Sequence, residues 1–142
     1  MRNELFFGAP QLKRDPLGGC SPFMIDRPLI GQIVGEQLSA VSFVQDYVEF
    51  HFDGPVVRAF AGPIVKESGE TIRFPSPNSR DKLCSLIGRP VSSFELIDGL
   101  ELRIRLGGAD LIVPLDAERT PGPEAMHFQD SVTSPVQVWT VD

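Results

Sequence analysis

Three side chains that can hold a metal ion or move a proton alternate along one short stretch of the sequence: Glu49, His51 and Asp53. In an extended strand, alternate residues project from one face at a spacing of about 6.5–7 Å. That spacing is too wide for one ion unless other ligands join, for example His127, because protein metal sites usually have three or four ligands. We interpret the row as a solvated polar face, so the sequence predicts no metal site and no cofactor.

Nucleophilic catalysis and anion binding find little support in the sequence. Serines and two histidines are present, but neither a Gly-x-Ser-x-Gly elbow nor a Cys–His signature accompanies them. Arg103 and Arg105, with Arg89 nearby in sequence, could bind an anion, although exposed strand arginines more often form a solvated face. We therefore assign no catalytic residue, and we expect Glu124 to cap a turn.

The elements that position these residues are β-hairpins. Residues 45–60 alternate apolar and polar side chains, turn at Asp53-Gly54 and become apolar again, and residues 99–113 repeat the pattern around Gly107-Gly108. A Leu-Ile-Gly tripeptide precedes each copy, at 29–31 and at 86–88. The sequence thus predicts a mainly β fold: a duplicated β-meander that forms a sandwich or a partly closed barrel, with one short helix.

The two alternating strands agree on one face and differ on the other. Superimposing 48–52 on 102–106 places every apolar residue on an apolar one, but it places Glu49 on Arg103 and His51 on Arg105. If the two strands are neighbours, Glu49 finds an arginine across the ladder. We therefore expect the polar face to serve solubility and register, and the apolar face to form the core.

We predict a single domain over residues 1–142. The last strand, 136–141, carries bulk on both faces and should be well covered. The predicted parts are a loosely attached N-terminal arm (1–22), a first repeat (29–60), an inserted hairpin and loop (61–78), a helix plus second repeat (79–115) and a closing hairpin (116–142).

The single helix should begin at Ser79, whose hydroxyl can accept hydrogen bonds from free N–H groups of the first turn. Gly88 can close its C-terminal end. Leu83, Leu86 and Ile87 fall on one face. Because the helix is short, packing must hold it in place.

Composition bounds the partners and the compartment. The chain has 142 residues, 42% of them hydrophobic, and a net charge of −6. An acidic chain of this size is typical of one soluble domain and disfavours nucleic acid and anionic membranes as partners. With two cysteines, Cys20 and Cys84, and no signal-peptide-like apolar stretch, we expect free thiols in a reducing cytoplasm.

The second half of the chain resembles a broad group of small, uncharacterised bacterial β domains, and the first copy resembles them loosely. Some of those proteins lie beside toxin genes and look like immunity proteins. The resemblance implies a mostly β domain of unknown function and brings no catalytic residues with it. The residues that carry it are, in order, Leu86-Ile87-Gly88 with Val91, Gly107-Gly108, Val113-Pro114-Leu115, Gly122-Pro123-Glu124-Ala125 and Val136-Gln137-Val138-Trp139.

These observations lead to two functional hypotheses. The first is a non-enzymatic interaction or immunity-type accessory domain, which binds a protein partner or itself as a homo-oligomer. The alternative is a small-molecule-binding protein or enzyme with a ligand between the two repeats, which predicts a deep apolar pocket with His51 or His127 at its mouth. Phe6 and Phe7 should dock on the domain's own core, although docking on a neighbouring subunit remains an alternative.

Overall fold

The computed structural model describes residues 4–7, 29–131 and 133–141. Within these residues it contains eleven strands, one 3-10 helix and one α-helix. The 3-10 helix spans Leu29–Ile33, and the α-helix, α1, spans Ser79–Cys84. The strands are β1 (Glu4–Phe7), β2 (Ala40–Val44), β3 (Tyr47–His51), β4 (Val56–Ala59), β5 (Ile64–Glu67), β6 (Glu70–Arg73), β7 (Val91–Ile97), β8 (Glu101–Leu106), β9 (Ala109–Pro114), β10 (Glu124–Gln129) and β11 (Val136–Thr140).

The strands form two antiparallel sheets. The six-stranded sheet has the order β1-β7-β8-β9-β5-β6, and the five-stranded sheet has the order β11-β10-β4-β3-β2. Their inner faces share one hydrophobic core, as in a β-sandwich. The predicted mainly β fold with one short helix is confirmed, as a sandwich and not as a closed barrel.

The same order of elements occurs twice along the chain. Each three-stranded meander, β2-β3-β4 or β7-β8-β9, is followed by a hairpin that crosses to the opposite sheet. Hairpin β5–β6 pairs with β9 of the second meander, and hairpin β10–β11 pairs with β4 of the first. The segment read as an insertion, 61–78, therefore holds the hairpin that corresponds to β10–β11.

Tight turns close the central hairpins, as the sequence predicts. Asp53 and Gly54 both have positive φ, at 57° and 135°, and so do Gly107 and Gly108, at 54° and 98°. Positive φ at both central residues is the combination that type I′ two-residue hairpin loops require. These turns fix the register of β3 against β4 and of β8 against β9.

The predicted inner faces form the centre of the core. Phe50 and Phe52 on the β3 side, and Leu102, Ile104 and Leu106 on β8, are all completely buried. Alternate residues of the same strands face outward. The core residues of the two meanders therefore agree with the alternation in the sequence.

Helix α1 begins at the predicted residue, but Ser79 does not cap it. The N-cap is Asn78, in the left-handed conformation with φ of 69°, and no side-chain hydrogen bond caps the helix. Ser79 is buried, and its hydroxyl oxygen has no partner among the described residues. Leu83 and Leu86 pack into the core, whereas Ile87 is exposed, so the predicted apolar face is narrower than expected.

The last strand, β11, is less covered than the sequence predicts. Val136 and Val138 are 42% and 47% exposed, respectively, because β11 pairs with β10 on one side and forms the edge of its sheet on the other. The prediction that this strand is well covered is therefore wrong for Val136 and Val138. The opposite edge strand, β2, lies beside α1.

The predicted N-terminal arm falls mostly outside the described residues. Within it, β1 pairs with β7, with Phe6 opposite Glu95 and Phe7 opposite Phe94. This backbone pairing attaches residues 4–7 to the chain's own six-stranded sheet. Cys20 lies outside the described residues.

Candidate functional site

A row of polar side chains crosses the outer face of the five-stranded sheet. Strand register places Glu49 opposite Arg58, and Arg58 opposite His127. Arg58 Nε donates to Glu49 Oε2 at 2.8 Å, and His51 Nε2 lies 3.0 Å from Glu49 Oε1. The predicted pairing of Glu49 with Arg103 is wrong, because β3 and β8 lie in different sheets.

The electrostatics of Glu49 suit a structural ion pair. Burial raises the pKa of Glu49, but hydrogen bonds from Arg58 and His51 outweigh burial and lower that pKa below its ordinary value. His127 contacts a different carboxylate, since its Nε2 lies 2.9 Å from Glu124 Oε1. In the part of the chain that the structure covers, no three His, Cys, Asp or Glu side chains gather closely enough to hold a metal ion.

The three arginines considered for anion binding each have a carboxylate partner. Arg103 pairs with Glu101, and Arg105 Nη1 donates to Asp110 at 2.9 Å. Arg89 Nη1 donates to a third acid, Glu67, at 2.9 Å. Their charges are neutralised at separate points, so they do not converge on one anion.

Glu67 joins the β5–β6 hairpin to α1. Lys82 Nζ donates to Glu67 Oε1 at 2.7 Å, while Arg89 occupies the other carboxylate oxygen. These hydrogen bonds lower the pKa of Glu67 to about 2. The pairing holds the hairpin against both the helix and the segment that leads into β7.

Two surface cavities share lining residues where the chain crosses between the sheets. The first has a volume of about 660 Å³ and the second about 420 Å³, and both are lined by Gly62, Phe74 and Pro75. We call the two neighbouring cavities together the crossover cleft. The first cavity is also lined by Arg73, Ser76, Glu118, Arg119, Thr120 and Pro121, and the second extends to Phe43, Tyr47, Phe60 and Arg80 among others.

Aromatic rings and arginines line the crossover cleft. Phe43 stacks on Phe74 with 5.4 Å between ring centroids, and the Arg80 guanidinium lies 5.0 Å from the Phe74 centroid. Arg73 Nη2 donates to the carbonyl oxygen of Arg119 at 3.1 Å. Sequence patterns do not reveal this site, because Phe43 and Phe74 are far apart in sequence and only tertiary structure brings them together.

A second surface feature is an apolar stripe across the five-stranded sheet, defined by Val44, Tyr47, Phe60, His127 and Val138. Val44 pairs with Tyr47, and Val138 pairs with His127 in the strand register. The Tyr47 and Phe60 rings lie 5.1 Å apart, and the Phe60 and His127 rings 4.6 Å apart. The apolar stripe thus runs from one edge of the sheet to the other.

Comparisons with protein-family models, with curated proteins and with solved structures found no match. Among the described residues, the helices are all too short or too polar to cross a membrane.

Proposed function

We propose that this protein is a non-enzymatic interaction domain that pairs with a second copy of itself along strand β11. The observation that carries the proposal is the exposed, uncharged edge at Val136–Thr140, where the apolar stripe ends. An edge strand offers unpaired N–H and C=O groups to another chain. Proteins that stay monomeric commonly protect such edges with charge, proline or a covering element.

Among the residues that the structure describes, no charge, proline or covering element protects the free edge of strand β11. Its sequence, Val-Gln-Val-Trp-Thr, contains no charge and no proline. By contrast, β6 at the edge of the other sheet carries Glu70 and Arg73, and β2 lies beside α1. The contrast with β6 and β2 supports β11 as the pairing surface.

Self-pairing suits the residues of β11. An antiparallel arrangement about a two-fold axis at Val138 places the two Val138 side chains side by side, and places Val136 beside Thr140 of the second copy. Every meeting pair is neutral, so no like charges oppose one another. The two five-stranded sheets would then continue as one, and the two apolar stripes would meet at the axis.

The filled interior supports binding over catalysis. Buried side chains from both sheets occupy the space between them, including Phe50, Phe52, Phe94 and Phe128. The alternative hypothesis requires a ligand in that space with a histidine at its mouth. Neither His51 nor His127 lines the two cavities of the crossover cleft.

An immunity role in a bacterial cytoplasm fits within the same proposal. It rests on the resemblance to bacterial domains that lie beside toxin genes, and immunity proteins act by binding. Cys84 is an exposed free thiol, as suits a reducing compartment. A toxin encoded by a neighbouring gene and neutralised on co-expression would support this role, and a neighbourhood without any toxin would count against it.

Backbone hydrogen exchange tests the pairing strand directly. If β11 pairs between copies, amide protection in Val136–Thr140 rises as protein concentration rises, while protection in β6 stays constant. Strand β6 is the matched control because it is also an edge but carries charges. Protection of β11 that does not depend on concentration would contradict the proposal.

A further inference from the structure

A second binding surface is present at the crossover cleft, away from the β11 edge. We infer that this cleft binds an extended, acidic segment of a partner protein. The inference is independent of self-pairing, since β11 contributes no residue to the lining of either cavity.

The charges of the cleft residues determine the sign of the charge that a bound segment should carry. The chain has a net charge of −6, yet Arg73 and Arg80 have no carboxylate within ion-pair distance among the residues that the structure covers. Arg119, also in the lining, is already paired with Glu101 and Asp116. Two exposed guanidinium groups that form no ion pair within the described part of an acidic chain favour carboxylates as ligands.

The two arginines place one binding point for a carboxylate in each cavity. Arg73 lines the first cavity and Arg80 the second, and both cavities share Phe74 and Pro75. The acids in the lining also belong to one cavity each, Glu118 to the first and Asp46 to the second. Among the described residues, neither acid forms an ion pair with Arg73 or Arg80, so both guanidinium groups can contact the carboxylates of a bound segment.

The shape of the cleft favours a segment of chain over a small molecule. Its two cavities are open to solvent and share Gly62, Phe74 and Pro75 in their linings, whereas small-ligand sites enclose most of the ligand surface. Phe43 and Phe74 offer apolar contact beside the arginines.

Fluorescence anisotropy with a blocked, labelled octapeptide, Gly-Glu-Phe-Glu-Gly-Glu-Phe-Gly, tests the inference. The control peptide replaces each Glu by Gln. At low salt we expect the acidic peptide to bind about tenfold more tightly than the control, the effect of a few solvent-exposed charge-assisted contacts. Amide chemical-shift changes on binding should map to Gly62, Phe74 and Thr120.

Matched variants separate the cleft from general electrostatics. The double variant Arg73→Gln/Arg80→Gln should weaken binding of the acidic peptide about tenfold, to the level of the Gln peptide. Arg105→Gln removes another exposed arginine, on β8, and should leave affinity unchanged, since Arg105 does not line the cleft. Arg73→Lys/Arg80→Lys should retain most of the affinity, which excludes a folding defect as the cause.

Four results would overturn the inference. They are no binding of the acidic peptide, equal affinity for both peptides, equal loss in the Arg105→Gln variant, and shift changes that lie outside the cleft. Glutarate that binds as tightly as the peptide would replace the protein segment with a small dicarboxylate. None of these results bears on self-pairing through β11, which the exchange experiment tests separately.

Discussion

Truncating Ile104 to alanine tests whether the buried face of the sheets contributes more to the free energy of unfolding than the polar face. Ile104 is completely buried on β8, between Phe94 of β7 and Leu111 of β9 in the strand register. Ile104→Ala removes three carbon groups, worth about 0.8 kcal/mol each in lost burial. The cavity left behind adds to this, so we expect a loss of about 3–4 kcal/mol in the free energy of unfolding.

The matched change on the polar face is Glu49→Gln. The amide oxygen can still accept a hydrogen bond from Arg58, and the partly exposed pair gains little from charge. We therefore expect a loss of at most about 1 kcal/mol. In a domain of this length, the two variants should differ in melting temperature by roughly 6–12 °C.

Urea unfolding followed by the fluorescence of Trp139, the chain's single tryptophan, measures both variants. Trp139 packs against the core and so reports on its loss. A Glu49→Gln variant as destabilised as Ile104→Ala would refute the division between a structural core and a polar face. A loss confined to a measured activity would instead make Glu49 a functional residue.

Two further predictions concern particular contacts. The pKa of Glu67 is lowered from its ordinary value of 4.5 to about 2 in the folded protein. Its ion pairs therefore stabilise the fold fully above about pH 4.5, and this stabilisation is lost as the pH falls toward 2. The difference in urea midpoint between wild type and Glu67→Gln should therefore shrink from pH 7 to pH 3, and a constant difference would contradict the assignment. Gly62→Ala should destabilise the protein by about 1–3 kcal/mol, because the new Cβ would overlap the carbonyl oxygen of Phe74. Gly122→Ala, which meets no atom, is its control in thermal melts, and equal losses in the two would disprove the steric argument.

Local patterns predicted the parts of the fold that depend on local rules. Alternation gave the buried faces of β3 and β8, and paired turn residues at 53–54 and 107–108 gave the hairpins. The same turn rule is sufficient to predict the Glu49–Arg58 pair, although that pair is not among the expectations drawn from the sequence above. A two-residue loop at 53–54 places Glu49 opposite Arg58 in the strand register.

Local sequence patterns do not predict which strands that are distant in sequence pair with each other. Strand β5 pairs with β9. Its sequence does not distinguish this pairing from one with the preceding strand β4, because both pairings would bury its apolar residues. The crossover cleft depends on that choice, since Gly62 and Phe74 lie at the crossing. The exposure of Val138 likewise depends on β11 being an edge, which follows from strand order alone.

Molar mass in solution, measured by size-exclusion chromatography with light scattering, tests the proposed pairing most directly. The proposal predicts a dimer for the wild type at tens of micromolar, and a monomer for Val138→Lys, because the two lysines would meet at the axis. Thr71→Lys adds the same charge on the exposed edge strand β6 and should remain dimeric. A wild type that stays monomeric over this range, or a Val138→Lys variant that stays dimeric, would contradict the proposal.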